Sequence, residues 1–348
     1  MKLSSYTTLL LDDIERRIDP EVEEDYKKQW SSFWEGNVSD KVFTPKRIRT
    51  ETSGIEIKSV YINDAINDYE LMLDSELATV SKRLSEGKGA LGIRANYGTG
   101  IMTSIFGAEI FEMPKKANTL PTTRSLNDSD KIREILEFGL PDLNVGFGRK
   151  VFEFGELCQE IFTKYPKISK YVQIYHPDTQ GPLDIAELLW GSEMFYEMYD
   201  EPDFVHSVLR LITDTYKSFL GKWYGIVPRY EGLTVHWELM HKGSIMIRLD
   251  SAMNISRDFY EEYSKPYDKE LFDHFDGGCL HFCGRGDHYV DSLCEIDNMF
   301  GINMSQPDLN DMKIVFSAVQ NGGKKILKLR NASELTEQYG VKEGVVCA

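Results

Sequence analysis

Residues 279–329 read CLHFCGRGDHYVDSLCEIDNMFGINMSQPDLNDMKIVFSAVQNGGKKILKL, and this stretch decides the fold. Three short apolar segments lie in it: CLHFC (279–283), FGINMS (300–305) and KKILKL (324–329). Segments with a helical pattern separate them, and NDMKIVFSAVQNGG (310–323) is the clearest, because it ends in two glycines. Short strands that alternate with helices are typical of repeated β-α units, which build a parallel sheet.

The same alternation extends towards the N-terminus. Further candidate strands are ALGIRAN (90–96), YVQIYH (171–176), LTVHWEL (233–239) and IMIRLD (245–250), with one more inside 103–121. About eight strands with intervening helices predict an α/β fold, a (β/α)8 TIM-type barrel over residues 89–348. The chain has 348 residues, and one barrel needs about 250, so there is room for an extension.

Residues 1–88 predict this extension to be helical. DPEVEEDYKKQWSSFWEG (19–36) has Asp19 as a cap and proline in the first turn, which indicates the start of a helix. YINDAINDYELMLDSELATVSKRLSEGKG (61–89) predicts a second long helix that ends at a glycine. We expect this part to form a lid or an extra layer on the barrel.

Composition and charge restrict the partners and the compartment. The formal net charge is −16, which argues against nucleic acids and anionic membranes, because both attract basic surfaces. No run of about 18 apolar residues predicts a membrane span, and the acidic N-terminal segment does not resemble a secretory signal. The five cysteines form no small-scaffold pattern, so reduced thiols in the cytoplasm are the expectation.

Polar side chains follow the predicted strands where each strand ends. In a parallel barrel the carboxyl ends of the strands share one mouth, so we expect these side chains to converge there. Catalytic roles are predicted for Asp178, Glu238 and Asp250. Substrate binding is predicted for Arg94, Asn96, His176, Gln180, His236, Arg248, Asn303 and Gln306. The alternative is structural, because an aspartate–arginine pair at a strand end often satisfies only loop amides.

The sharpest local feature is the sequence His281-Phe282-Cys283. Residues two apart on a strand point to the same side, so the imidazole and the thiolate can reach one zinc ion. Two ligands do not make a site, and the alternative is a buried cysteine beside a histidine bonded to a loop. Candidates for a further ligand are Cys347, Glu238, His236 and Asp250.

Three stretches resemble the uroporphyrinogen decarboxylase superfamily. They are HPDTQGPLDIAELLWGSEMFYEMYDEPDFVH (176–206), IRLDSAMNISRDFYEEYSKPYDKELFDHFDGGCLHFCGRG (247–286) and GINMSQPDLND (301–311). The resemblance implies a (β/α)8 barrel and one of two chemistries. One is cofactor-free decarboxylation of the acetate arms of uroporphyrinogen, and the other is zinc-dependent methyl transfer between a corrinoid and a thiol such as coenzyme M.

The motifs favour the methyltransferase branch. The decarboxylases carry an arginine-rich RQAGRY-like segment after the first strand, whereas IRANYGTG (93–100) has only Arg94. The methyltransferases place His-x-Cys at a strand end, as at His281 and Cys283, and a third ligand in a Gly-Cys-Gly-like turn. That turn reads KLRNAS here and has no cysteine, so either Cys347 folds back to the mouth, another residue replaces it, or zinc is absent.

Three functions stay open at this point. The first is a zinc-dependent methyltransferase that moves a methyl group between a corrinoid, carried by a partner protein, and a small thiol. The second is a cofactor-free decarboxylase of a smaller carboxylate that uses Arg94 and Asp250. The third is a non-catalytic protein that binds a corrinoid or a tetrapyrrole. The resemblance also implies a homodimer.

Overall fold

The computed structural model describes residues 2–348. The strands are β1 (Val42–Phe43), β2 (Gly92–Ile93), β3 (Ile110–Phe111), β4 (Thr122–Thr123), β5 (Gln173–Ile174), β6 (Leu233–His236), β7 (Leu239–Lys242), β8 (Ile245–Arg248), β9 (Gly278–Phe282), β10 (Met299–Met304), β11 (Lys325–Ile326) and β12 (Val346–Cys347). The helices are α1 (Ser5–Arg17), α2 (Pro20–Glu35), α3 (Ile62–Ala65), α4 (Tyr69–Glu86), α5 (Ile101–Ile105), α6 (Ser129–Phe138), α7 (Gly146–Phe162), α8 (Pro166–Tyr171), α9 (Pro182–Trp190), α10 (Met194–Asp200), α11 (Pro202–Ile226), α12 (Arg257–Tyr263), α13 (Lys265–His274), α14 (Val290–Cys294), α15 (Met312–Asn321) and α16 (Ala332–Gln338). Short 3₁₀ helices lie at Lys115–Ala117, Ser251–Asn254 and Pro307–Leu309.

A six-stranded parallel sheet organises the molecule. Its strand order is β1-β12-β11-β10-β9-β8, and helices follow most of its strands, so the predicted α/β class is confirmed. The register sets Arg248 opposite His281 and His281 opposite Asn303, which aligns the polar carboxyl ends of β8, β9 and β10. Strands β2 and β5 form a separate parallel pair within residues 2–348, so closure into a (β/α)8 barrel stays a prediction.

Two predicted strands differ in the structure. The segment 233–239 is not one strand, because the chain reverses at Trp237 and Glu238 and forms the antiparallel hairpin β6–β7. The strand that the sequence predicts inside 103–121 is only β3, which pairs antiparallel with β4 and does not join the large sheet. Both segments are apolar enough for a strand, and apolar patterning alone does not indicate where a short strand turns back.

The N-terminal residues contain the predicted helices and also a strand of the sheet. Asp19 caps α2 and accepts the N–H of Glu21, as the sequence predicts, whereas the second predicted helix is divided into α3 and α4. Between α2 and α3, Val42 and Phe43 of β1 pair with Val346 and Cys347 at the sheet edge. The buried ion pair between Arg47 and Glu23 (2.8 Å) fixes the segment that follows β1. The N-terminal segment is therefore joined to the parallel sheet by backbone hydrogen bonds.

The core extends on both sides of the sheet. An aromatic group from α2 and β1, in which Phe33 stacks on Phe43 at 4.7 Å, packs with Cys347 and with Val235 of the β6–β7 hairpin.

Across the part of the chain that the structure describes, no helix has both the length and the apolar composition that a membrane span requires.

Candidate functional site

A triad of possible metal ligands forms at the carboxyl ends of β8 and β9. One ligand atom each from Asp250, His281 and Cys283 lies within 4.8 Å of the others. The Sγ of Cys283 is 3.5 Å from Nε2 of His281, and Cys283 is partly exposed. The side chains of His281 and Cys283 therefore face the same point, as predicted, and the carboxylate that joins them belongs to Asp250, two residues after the end of β8.

Hydrogen bonds orient each member of this triad. His281 donates through Nδ1 to Oδ1 of Asn303 at 2.6 Å, and Asn303 in turn donates to the carbonyl of Leu327 at 2.7 Å. The lone pair of Nε2 therefore faces Cys283. Asp250 accepts the backbone N–H of Cys283 through Oδ1 at 2.7 Å, which leaves its second oxygen for another partner. Such outer contacts are typical of histidine ligands at metal sites.

The electrostatics of the triad suit a cation. Burial lowers the pKa of His281, so the imidazole is neutral near pH 7 and its lone pair is free to bind a metal. Burial also raises the pKa of the Cys283 thiol, and the charge of Asp250 adds to this effect. A nearby cation reverses this effect, because it stabilises the thiolate.

Asp184 and Gln306 hold the two loops that carry the triad. Asp184, in the first turn of α9, accepts the N–H groups of Asp250 and Ser251, each at 2.8 Å. Burial, followed by the charge of Asp250, raises the pKa of Asp184. Gln306, predicted to bind substrate, accepts the N–H of Gly284 through Oε1 at 2.7 Å. The side chains of Asp184 and Gln306 therefore fix the backbone of the loops that carry Asp250 and Cys283.

A second cluster forms around Asp178. Its carboxylate contacts the guanidinium of Arg94, that of Arg248 at 2.6 Å and Nε2 of His236 at 3.1 Å. The segment after β5 reaches this position because Gly181 donates its N–H to the carbonyl of Arg248 at 2.8 Å. Burial, followed by the charge of Arg248, holds the pKa of His236 well below its usual range, so His236 is neutral.

The remaining predicted substrate residues divide into two groups. His176 donates through Nδ1 to the carbonyl of Pro177 and accepts the N–H of Met246 through Nε2. Both of its ring nitrogens are therefore hydrogen-bonded to the backbone. Asn96 and Gln180 keep one polar atom each, Oδ1 and Nε2, without a hydrogen-bond partner in residues 2–348. Buried polar atoms of this kind are available to a ligand or to water.

Glu76 joins the second cluster from α4, and sequence reasoning missed it. Its carboxylate accepts the N–H of Arg94 at 3.1 Å and an amide hydrogen of Asn96 at 3.4 Å. Burial raises the pKa of Glu76 even though Arg94 is close. The helical spacing could have indicated that Glu76 faces inwards, because it lies three residues after Leu73 and four before Val80, which are both buried.

Trp237, at the tip of the β6–β7 hairpin, separates the two clusters and was also missed. The guanidinium of Arg248 lies 4.9 Å from the centre of the indole. The ring centroid of His281 is 5.1 Å from that of Trp237, and the ring centroid of His236 is 4.8 Å away. Its position depends on the turn between β6 and β7, which the single predicted strand did not contain.

The structure corrects the positions of two predicted residues. Cys347 packs in the apolar group beside α2, its thiol is 3.5 Å from the carbonyl of Ala348, and burial raises its pKa to about 12. The ligand that the structure brings to His281 and Cys283 is Asp250, not Cys347. Glu238 pairs with Lys328 and lies 3.9 Å from Arg83, so its charge is compensated outside the triad.

The two clusters offer complementary chemistry. The triad supplies one nitrogen, one sulfur and one oxygen ligand, and the cluster around Asp178 supplies two guanidinium groups for one carboxylate.

No protein-family model and no curated protein sequence matches the chain.

Proposed function

We propose that the chain is a zinc-dependent methyltransferase that moves a methyl group between a corrinoid and a small thiol such as coenzyme M. The observation that carries this proposal is the convergence of Asp250, His281 and Cys283 within 4.8 Å. Zinc takes nitrogen, sulfur and oxygen ligands of these types in proteins. Three protein ligands are typical of catalytic zinc, because the fourth position is then left for a substrate.

The proposal includes the fold family and the setting. A closed (β/α)8 barrel of the uroporphyrinogen decarboxylase superfamily is consistent with the parallel sheet and with functional groups at its carboxyl ends. The His-x-Cys pair at the end of β9 is the motif by which the methyltransferase branch is recognised. A corrinoid protein as the partner, a homodimer and a cytoplasmic location belong to the same proposal.

Each residue of the triad has a defined task in this mechanism. Neutral His281, fixed by Asn303, and the Cys283 sulfur would hold the ion together with the free oxygen of Asp250. When bound, zinc would lower the pKa of a substrate thiol, so that a thiolate forms near neutral pH. A corrinoid bound as co-substrate would supply the methyl group, and the thiolate sulfur held at this ion would accept it.

The cluster around Asp178 would bind the rest of the thiol substrate. Arg94 and Arg248 carry two positive charges against the one negative charge of Asp178, and burial, which raises the pKa of Glu76, works against a second negative charge in this cluster. Gln180, whose Nε2 has no partner in the described residues, adds a donor. An anionic end on the thiol is therefore favoured at this cluster, in spite of the negative charge of the whole chain.

Metal analysis tests the proposal directly. We expect about one zinc per chain in the purified protein, and thiol-dependent demethylation of methylcobalamin. His281→Ala, Cys283→Ser and Asp250→Asn should each lose metal and activity, because each removes a ligand. His274→Ala, at an exposed position of α13, is the matched control and should keep both. Protein that contains no zinc after growth with excess metal would contradict the proposal.

A second candidate function is cofactor-free decarboxylation of a small carboxylate. The observation that favours it is the juxtaposition of Arg94, Asp178 and Arg248 with Glu76, a buried carboxyl group whose pKa burial raises, which favours its protonated, proton-donating form. Decarboxylation without a metal predicts full activity after treatment with a chelator. Loss of activity on chelation, restored by zinc, would exclude this candidate.

A further inference from the structure

The turn between β6 and β7 has an unusual residue in a conformation that glycine prefers. His236 pairs with Leu239, so the turn consists of the two residues Trp237 and Glu238. Trp237 has a φ of 52°. Two-residue hairpin turns with a positive φ at the first turn residue usually have glycine there, because a Cβ atom is unfavourable in that region. The chain has tryptophan instead.

Contacts from other parts of the fold hold this turn in place. Arg83 of α4 donates through Nη1 to the carbonyl oxygens of Trp237 at 3.0 Å and of Ala90 at 2.8 Å. Ala90 donates its N–H to the carbonyl of Glu238 at 2.8 Å, and Lys328 pairs with the Glu238 carboxylate. Strained conformations persist where the surroundings fix them, and they concentrate at functional sites.

The indole of Trp237, which the turn positions, lies beside the triad of Asp250, His281 and Cys283. Arg248 lies 4.9 Å from the centre of the indole, and the ring of His281 lies at 5.1 Å in an edge-on arrangement. His281 is in turn 3.5 Å from the thiol of Cys283. Removal of the indole would leave open space between the triad and the cluster around Asp178.

Cys283 provides a chemical means of measuring access to this place. It is partly exposed, whereas Cys158, Cys279, Cys294 and Cys347 are buried. An alkylating reagent should therefore modify Cys283 first in the folded protein, and its rate should report how easily a molecule of a given size passes Trp237.

We propose that Trp237 is a specificity-determining residue that limits the size of the molecules that reach Cys283. The indole, set by a strained turn against Arg248 and His281, restricts the approach to the triad to slender molecules such as an unbranched thiol. The proposal rests on the proposed function for its substrate, but the position of the indole is a property of the fold.

The experiment compares two reagents with the same reactive group. Iodoacetamide and 2-iodo-N-phenylacetamide differ by one phenyl ring, and each is reacted with metal-free protein. Modification of Cys283 is followed by mass spectrometry, with Cys283→Ser as the blank and glutathione as the unhindered thiol. We expect wild type to favour the small reagent about tenfold more than glutathione does. In Trp237→Gly this preference should fall to that of glutathione, and in Trp237→Phe it should stay close to wild type.

Folding of the variants is checked by thermal unfolding. Trp237→Gly relieves the positive φ but removes the packing of the indole against the core, so thermal unfolding checks that the variant is folded at the reaction temperature. Trp237→Leu is the second variant, and it should lose most of the preference even if the glycine variant folds poorly. An equal preference in wild type and in either small variant would overturn the proposal. The measurement needs neither zinc nor a methyl donor, so failure of the proposed function would leave it intact.

Discussion

At the residue scale, the site depends on side chains that do not themselves touch a ligand. Asn303 is the clearest case, because it bridges the Nδ1 of His281 and the carbonyl of Leu327. Without this bridge the imidazole could rotate or change tautomer, and Nε2 would no longer be held towards Cys283.

Asn303→Ala should weaken zinc binding without removing a ligand. We expect the affinity to fall by about 10- to 100-fold, which is the usual effect of losing the outer partner of a histidine ligand. Competition with a chromophoric chelator measures this change. Asn298→Ala, which removes an amide that bonds to Asp273 away from the triad, is the control. Unchanged affinity in the Asn303 variant would show that the imidazole needs no orientation.

The sequence predicted some of these residues and not others. His281 and Cys283 could be found because they lie two apart on one strand, and Asp250 because it follows a strand. Cys347, the predicted third metal ligand, does not join the triad, and its position depends on a pairing between residues about 300 apart in the chain, 42–43 with 346–347. No local pattern indicates which distant segment supplies a ligand.

At the element scale, the two strands that carry the triad, β8 and β9, are in close backbone contact at Gly278. A Cβ at Gly278 would overlap the carbonyl oxygen of Ile245, so the start of β9 admits only glycine. Gly221, exposed within α11, has nothing near its Cβ position. These two glycines therefore offer opposite outcomes for the same substitution.

Gly278→Ala should destabilise the protein by about 1–3 kcal/mol, because β8 and β9 must separate to admit the methyl group. Gly221→Ala should stabilise it by about 0.5–1 kcal/mol, because alanine is the better helix former. Urea unfolding curves measure both effects. A neutral Gly278→Ala would mean that the strands are further apart than the structure has them.

Helix α13 contains a buried carboxyl group that makes stability depend on pH. Asp268 accepts the hydroxyl of Ser264 at 2.8 Å, and its Oδ1 has no partner between residues 2 and 348. Burial raises the pKa of Asp268 to about 7, compared with about 3.9 in an unfolded chain. Between these values the folded state binds more protons than the unfolded state, so the contribution of Asp268 to stability falls as pH rises from about 4 to 7.

Asp268→Asn should remove this pH-dependent loss, because the amide stays neutral. At pH 8 we expect the variant to be more stable than wild type, by on the order of 1–3 kcal/mol, with the difference closing towards pH 4. Chemical unfolding at several pH values measures the difference. Asp258→Asn, at an exposed position of α12, should show no such trend. A wild type that stays the more stable protein at pH 8 would contradict the argument.

Helices were easier to predict than strands. Asp19 and the proline after it mark the start of α2, and the glycines at 322–323 mark the end of α15, as the sequence predicts. The predicted strands 90–96 and 171–176 contain β2 and β5, but these have only two residues each, so the sequence pattern did not indicate their bounds. The β6–β7 turn was missed because tryptophan stands where a turn usually has glycine.

At the scale of the whole molecule, the N-terminal residues form part of the sheet and of the site. β1 pairs with β12, Glu76 reaches the cluster around Asp178, and Arg83 holds the turn that carries Trp237. The sequence predicts a lid or an extra layer over 1–88, and it could not predict these contacts because none of them is local. The expectation that nucleic acids and anionic membranes are not partners rests on the net charge of −16 and stays a prediction.

A chain that begins at residue 89 should therefore fail to fold. Its removal of α1, α2 and α4 would expose the apolar group around Val235 and Cys347 and leave the edge of β12 unpaired. We expect no cooperative thermal transition by circular dichroism. A truncated protein that unfolds cooperatively would show that 89–348 is an independent domain.

The pairing of β1 with β12 also determines the order of events on the ribosome. Phe43 emerges early, but the strand it pairs with is completed only when residue 347 has been made. At about 5–20 residues per second, the roughly 300 residues between them take about 15 to 60 s to synthesise. During that interval the aromatic face of Trp30, Phe33 and Phe43 lacks its final cover, which makes the nascent chain a substrate for chaperones until the last strand docks.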